Sequence, residues 1–270
     1  MFPLRMTSHN KQPYWFFNQF MVEEIEILGI KVHNYSFRES YELISKALNG
    51  GHRKVFHVGI NAASVELAKK SNDYVRMVNS ANLVNPDGIS MLWASSFLGK
   101  PLKERVPATD LMSQVVTHCA NSGIGIYLFG AEEDIVTKVR DKFNELSLNP
   151  VVVGYRNGYF SNEQIDEIVE DIADSNAKLL LIALPSPMKE EFVYNNFDKM
   201  GNLSVSMGVG GAFDVIASKV NRAPKWVQDI GFEWFYRMMQ EPKRLWKRYL
   251  VGNTKFIFWV IREKFGATGH

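Results

Sequence analysis

Residues 205–224 read VSMGVGGAFDVIASKVNRAP, and the change of character halfway through this run decides the fold. An apolar, β-prone start (Val205, Met207) passes through Gly208, Gly210 and Gly211 into a helical segment over 212–218. Strand, glycine loop and helix make the unit from which parallel α/β sheets are wound, with the loop at the strand's carboxyl end. Glycines there let an anion reach backbone N–H groups, and a following helix N-terminus adds about half a positive charge. The spacing is not the G-x-G-x-x-G dinucleotide fingerprint, so a tight turn packing strand against helix also reads these residues. The sequel, Asn221-Arg222-Ala223-Pro224-Lys225-Trp226, returns basic and aromatic groups soon after the glycines.

The same alternation continues upstream. Strand-like runs at 26–30 (EILGI), 54–58 (KVFHV), 83–84, 125–130 (GIYLFG), 151–155, 178–184 (KLLLIAL) and 203–207 are separated by helical patterns. The 178–184 run is continuously apolar, as expected of a strand covered on both faces. Ser36-Phe37-Arg38-Glu39 has the form of a capping box, opening a helix with Phe37, Tyr41, Ile44 and Leu48 on one face. These patterns predict a Rossmann-like α/β fold, a largely parallel sheet with helices on both faces and ligands at the carboxyl ends of its strands. That edge carries Asn61, Asp87, Gly130, Lys189 and the glycine loop. The chain divides into a leader without periodicity (1–20), a catalytic domain (21–240) and a basic, aromatic helical appendage (241–270).

With 270 residues, 46% of them hydrophobic and 13% aromatic, the chain can bury one large core and still carry an appendage. A net charge of +2 is too small for whole-surface nucleic-acid binding, and no helix-turn-helix or single-strand platform is visible. Cys119 is the only cysteine, which excludes an internal disulfide or a cysteine metal cluster and fits a reducing cytosol. No run approaches the roughly eighteen apolar residues of a spanning helix. Between 242 and 265, Lys243, Arg244, Lys247, Arg248, Lys255, Arg262 and Lys264 face a single acid, Glu263. Trp246, Tyr249, Phe256, Phe258, Trp259 and Phe265 interleave with them. A helix lying on an anionic bilayer is written this way, each basic group near the surface contributing about 1 kcal/mol. A terminal helix docked on the core is the other reading.

Asn85-Pro86-Asp87-Gly88 is a β-turn sequence, and it is equally a way to deliver a carboxylate to the sheet edge, where it can take a proton from a hydroxyl. Asp110, after Thr109 at a helix start, suits capping, and Asp214, just past the glycines, would repel a diphosphate. Asp87 is therefore the candidate base. Arg105, Arg222 and the tail arginines could hold phosphates, although each alone also reads as solvated surface. His57, in an apolar strand, reads as a core residue. HExxH, DxD, Walker A and GxSxG patterns are absent, which argues against zinc hydrolysis, the usual metal-dependent sugar-nucleotide sites, P-loop chemistry and α/β-hydrolase catalysis.

Seven blocks occur in order: Asn61; Asn85-Pro86-Asp87-Gly88; Arg105-Val106-Pro107-Ala108-Thr109-Asp110; Leu128-Phe129-Gly130-Ala131; Gly208-Val209-Gly210-Gly211-Ala212-Phe213-Asp214; Arg222-Ala223-Pro224; and Glu233-Trp234 through Glu241-Pro242-Lys243-Arg244-Leu245. Together they resemble the WecG/TagA/CpsF family of bacterial glycosyltransferases over about residues 24 to 250. The resemblance implies an inverting transferase with neither metal nor other cofactor. It would move a sugar from a UDP-sugar to a polyprenyl-diphosphate-linked acceptor at the inner membrane face, in cell-surface polysaccharide synthesis. It implies that Asp87 is the base, that Asn61, Gly130, Lys189, Gly208, Gly210, Gly211 and Arg222 meet the donor, and that Arg105, Asp110, Arg237, Arg244 and Arg248 meet the acceptor or the leaving diphosphate. It further implies that the appendage closes over the site and that the chain can form a homo-oligomer. Two positions depart from the family pattern. Lys189 stands where a Gln precedes the Glu, and Gly59 stands where a small hydroxyl residue lies two before Asn61.

Two rival readings make different demands. An NAD(P)-binding oxidoreductase needs an acidic ribose partner about twenty residues beyond the first strand's loop, whereas the glycine loop here comes late in the chain. A non-enzymatic membrane-surface adaptor, built on the basic tail alone, would bind liposomes without affinity for a UDP-sugar.

Overall fold

The structure, a computed structural model, describes residues 23–51 and 53–266. The leader expected over 1–20 lies outside the described residues. The chain opens with an antiparallel hairpin, β1 (Glu24–Ile27) and β2 (Ile30–His33). Leu28 and Gly29 form its two-residue turn with φ of 55° and 89°, the positive-φ pair that matches the twist of paired strands. This corrects the single strand expected over 26–30. The turn is hidden within an apolar run because Leu28 is itself buried at 2% exposure, so the usual Asn-Gly signal is missing.

Helix α1 (Phe37–Leu48) begins at the capping box anticipated from the sequence: Glu39 N donates to Ser36 Oγ, and the Glu39 carboxylate accepts from Ser36 N. Then come β3 (Val55–Ile60), α2 (Ala62–Ala68), α3 (Asn72–Asn79), β4 (Leu83–Pro86), α4 (Ile89–Leu98) and α5 (Ala108–Ser122). The second half runs β5 (Ile126–Gly130), α6 (Glu133–Asn144), β6 (Val152–Arg156), α7 (Ile165–Asp174), β7 (Leu179–Ala183), α8 (Met188–Asn196), β8 (Val205–Gly208) and α9 (Ala212–Ile216). The six strands β3 to β8 form one wholly parallel sheet in the order β4-β3-β8-β7-β5-β6.

Strand alternation sends residues to two cores, one on each face. Phe56, Val58, Ile60, Leu180 and Ile182 pack with α2, α3, α4, α7 and α8, while Val55, Leu179, Leu181, Val205 and Met207 pack with α1, α5, α6 and α9. The chain leaves β3 for the edge strand β4, then crosses the sheet to β5, and β8 later fills the place between β3 and β7. Such a reversal opens a crevice outside the strands' carboxyl ends.

After β8 come α10 (Lys225–Asp229), α11 (Glu233–Gln240), α12 (Pro242–Trp246), a π turn over Lys247–Val251 and α13 (Gly252–Gly266). Helix α13 docks on α2 and α4, with Phe256 and Val260 entering the core. Lys255 Nζ lies 3.1 Å from Glu66 Oε1, and Glu263 Oε1 accepts from Leu28 N at 3.3 Å. Ile257, Phe258 and Ile261 of α13 stay exposed. Among the described residues no helix is long and apolar enough to cross a membrane.

Candidate active site

The crevice is a cleft of about 720 Å³ bounded by the ends of β3 and β4, the starts of α4 and α5, and helices α11 and α13. Asp87 stands at its inner end. The turn after β4 is clamped to β3 by Asp87 N and Gly88 N, which donate to Ile60 O at 2.9 and 3.2 Å. The Asp87 side chain is held in turn, because Oδ1 accepts from Ala108 N, in the first turn of α5, at 2.8 Å. Helix α5 has Pro107 at its N-cap and no side-chain cap of its own, so Asp87 supplies an oxygen to its free N–H groups from another strand. The two readings of Asn85-Pro86-Asp87-Gly88, turn and delivered carboxylate, are thus one arrangement.

Gly59 has a local reason to be glycine. A Cβ there would meet Asp87 Cβ at 3.2 Å and Ala108 Cβ at 3.5 Å, and this close approach lets β3 run directly beneath the carboxylate. Asn61 caps α2 by accepting from Ala63 N at 2.9 Å and also borders the cleft. A Cβ on Gly88 would come within 2.8 Å of Asn61 Cβ, so the Asp87 turn and the Asn61 cap fit together as a unit.

Three sequence-nominated arginines, Arg105, Arg222 and Arg237, line this cleft. Arg105 Nε donates to Asp87 O at 2.7 Å, and its Nη2 donates to Glu233 Oε2 at 2.7 Å. Arg222 Nη1 lies 2.5 Å from Asp110 Oδ1 and its Nε 3.5 Å from Glu233 Oε1. The hydrogen bond to Asp110 raises the Arg222 pKa above its ordinary value, and its Nη2 is buried without a hydrogen-bond partner. Arg237 Nη2 donates to Gly211 O at 3.3 Å and lies 3.9 Å from Asp214 Oδ2. Glu233 therefore bridges two cations that come from distant parts of the chain. Glu233 belongs to the last of the seven blocks, but its role is not legible there, because a pairing across 128 positions leaves no local signal.

Asp110 reaches the cleft only through its pair with Arg222, and the remaining nominated residues whose side chains are described do not line it. Gly208 ends β8, and a Cβ on it would press on Lys189 Cε at 3.1 Å. Lys189 Nζ pairs with Glu190 Oε1 at 2.8 Å and donates to Ser186 Oγ, and the Glu190 side chain is only 1% exposed. The cation at this position thus arrives with its own buried counter-ion. Gly210 adopts φ 51° with open space around it. Gly211 touches the cleft only through Arg237, and α9, which follows, has five residues. Gly130 lies further along the sheet, at φ 121°, where a Cβ would sit 2.6 Å from the Ala183 carbonyl carbon. The side chains of Arg244 and Arg248 are outside the described residues.

Beneath the site, His57 is fully buried between β4 and β8. Burial holds its imidazole down to about 4, and nearby Lys189 pushes the same way, so it is neutral near pH 7, as a core histidine should be.

A model of the glycosyl transferase WecG/TagA/CpsF family matches residues 25–269. An N-acetylglucosaminyldiphosphoundecaprenol N-acetyl-beta-D-mannosaminyltransferase of Bacillus subtilis (strain 168) is 31% identical over 205 residues, which is 76% of this chain and 78% of that protein. The enzyme of the same name from Bacillus spizizenii is 28% identical over 204 residues, covering 75% and 77% of the two chains.

Proposed function

The chain belongs to the glycosyl transferase WecG/TagA/CpsF family, and from that premise we propose that it moves a sugar from a UDP-sugar to a polyprenyl-diphosphate-linked saccharide at the inner face of a membrane. The relatives' names specify N-acetyl-β-mannosamine as the sugar moved and N-acetylglucosaminyl-diphosphoundecaprenol as its receiver. Those are the first substrates to try.

The observation that carries this reading is Asp87, held at the head of the cleft by Ala108 N at 2.8 Å with Arg105 bound to its own carbonyl. The acceptor hydroxyl oxygen attacks the donor's anomeric carbon. As the new O–C bond forms, the bond from that carbon to the UDP oxygen breaks, and UDP leaves with the electron pair. Asp87 takes the hydroxyl proton through the oxygen that Ala108 leaves open. Because attack and departure are in line, configuration at the anomeric carbon inverts. Arg222 meets the charge gathering on the leaving diphosphate, with Arg105 and Arg237 left to the acceptor's own diphosphate, and preorganised cations acting on developing charge are usually the largest catalytic contribution. The basic stretch of α12 and α13 would hold the protein to anionic lipid, where its acceptor resides.

Asp87→Asn tests the assignment directly. The amide oxygen can still accept from Ala108 N, so fold and UDP affinity should persist. Turnover, read as acceptor-dependent UDP release, should fall by about a hundredfold to ten-thousandfold. Near-normal turnover would remove Asp87 from the chemistry.

A further inference from the structure

We propose that the outer half of the cleft is a groove for the first isoprene units of the acceptor lipid, an inference that rests on the transferase reading above. From Asp87 the cleft continues without a break between α4 and α13. Along α4, Ile89, Trp93 and Phe97 recur every fourth residue and so line one face. Opposite them, α13 contributes Ile257 and Ile261, with Val260 as the floor. Trp93 and Ile257 are each 57% exposed, and Phe97 and Ile261 each 46%.

An exposed apolar trough is costly unless something covers it, and its two ends identify the occupant. The inner end holds Arg105 and Arg237, beside the Arg222 that meets the leaving UDP, and suits the acceptor's own diphosphate. The outer end offers aromatic and branched aliphatic walls, while its cation, Lys264, lies 6.0 Å from the Phe97 ring centroid. A molecule that is doubly anionic at one end and a branched, unsaturated hydrocarbon at the other matches this order along a single cavity. That chemistry is a prenyl diphosphate. The groove would draw the sugar-bearing end of the lipid out of the bilayer and set its diphosphate at a fixed distance from Asp87.

The test uses soluble prenyl diphosphates without a bilayer or detergent. Calorimetry should find that geranyl diphosphate binds the full chain about tenfold or more tightly than dimethylallyl diphosphate, since one isoprene adds about five buried carbons. Trp93→Ser and Ile261→Ser, at exposed positions that should tolerate polar side chains, should each close most of that gap while melting temperature holds. Equal affinities in the wild type, or a gap unchanged in both variants, would overturn the groove. A length preference seen only with vesicles would assign the chain to the bilayer and overturn it too. Binding is read apart from turnover, so failure here with active transfer would sink only the groove. A length-dependent gap in a protein inactive on every UDP-sugar would sink the transferase reading instead.

Discussion

Glu233 offers the sharpest perturbation of the site. Its carboxylate lies 2.7 Å from Arg105 Nη2 and 3.5 Å from Arg222 Nε, with side-chain exposures of 26%, 20% and 28% for Glu233, Arg105 and Arg222. Without ligand it is the anion that Arg105 holds, and it shares Arg222 with Asp110. At an effective dielectric of about 20, two unit charges 4 Å apart attract by about 4 kcal/mol, and desolvation and side-chain ordering offset much of that. A charge-assisted hydrogen bond in such a half-buried setting is worth about 2 kcal/mol net. Removing the charge with Glu233→Gln should therefore lower the melting temperature by about 4–8 °C for a domain of this size.

The same free energy should reappear in ligand binding with the opposite sign. A diphosphate entering the cleft must share the two arginines with Glu233 or displace it. In the variant Glu233's part of that competition is gone while Asp110 keeps its own, and UDP should bind up to about thirtyfold more tightly, the equivalent of about 2 kcal/mol. Calorimetric titration of UDP into wild type and Glu233→Gln, at low and high ionic strength, measures this. Asp229→Asn, which removes a carboxylate from an exposed pair with Lys225, controls for net charge. The gain should shrink in high salt, where charge interactions are screened. Equal or weaker UDP binding by Glu233→Gln at low salt would refute the reasoning and make Glu233 a support that the arginines need when loaded.

Other consequences can be read more briefly. His57 is buried neutral, with a pKa near 4 against 6.5 in the unfolded chain. The unfolded state therefore takes up a proton first as pH falls, and this residue's contribution, fully present above pH 6.5, should decline by about 2 kcal/mol between pH 7 and 5. His57→Met should flatten that part of the melting-temperature profile, and an unchanged acid slope would count against it. Lys189→Met strands the buried Glu190 carboxylate and should cost about 3–5 kcal/mol in denaturant unfolding, with Glu190→Gln in the same chain restoring most of it. If the single variant is as stable as wild type, the pair is not a structural couple. Gly130→Ala places a Cβ 2.6 Å from the Ala183 backbone at φ 121°, and about 3 kcal/mol of lost stability is expected. A neutral result would mean that the backbone there yields easily.

The sheet was legible because each of its strands announces itself. Burial on both faces demands a continuous apolar run such as LLLIA in β7, and the capping box at Ser36 is a local pattern that local geometry reproduces. The β1–β2 hairpin was missed for the converse reason, since a buried leucine in the left-handed conformation gives no polar turn signal. Within the site, Asp87 and Asn61 could be nominated because they sit at strand ends, and Arg105 because it is a cation in a block that resembles the family. Their partners could not, because Ala108 N, Glu233 and the α4–α13 trough are brought to them by the winding of the sheet.

Glycine best separates what composition can say from what only packing reveals. The glycines of 208–211 suggested an anion cradle, yet a side chain on Gly208 would strike Lys189 and one on Gly211 would strike Arg237 Nη2 at 2.2 Å. Their smallness makes room for cations rather than baring N–H groups alone. Gly59, singled out only as a departure from the family pattern, makes room for Asp87 in the same manner. Any side chain at that position would press on Asp87 Cβ and Ala108 Cβ, the two groups whose contact seats the carboxylate. On this argument Gly59→Ala and Gly59→Ser should both slow acceptor-dependent UDP release while leaving UDP affinity close to that of the wild type. Wild-type turnover in both variants would show that the strand yields to the added carbon without moving Asp87.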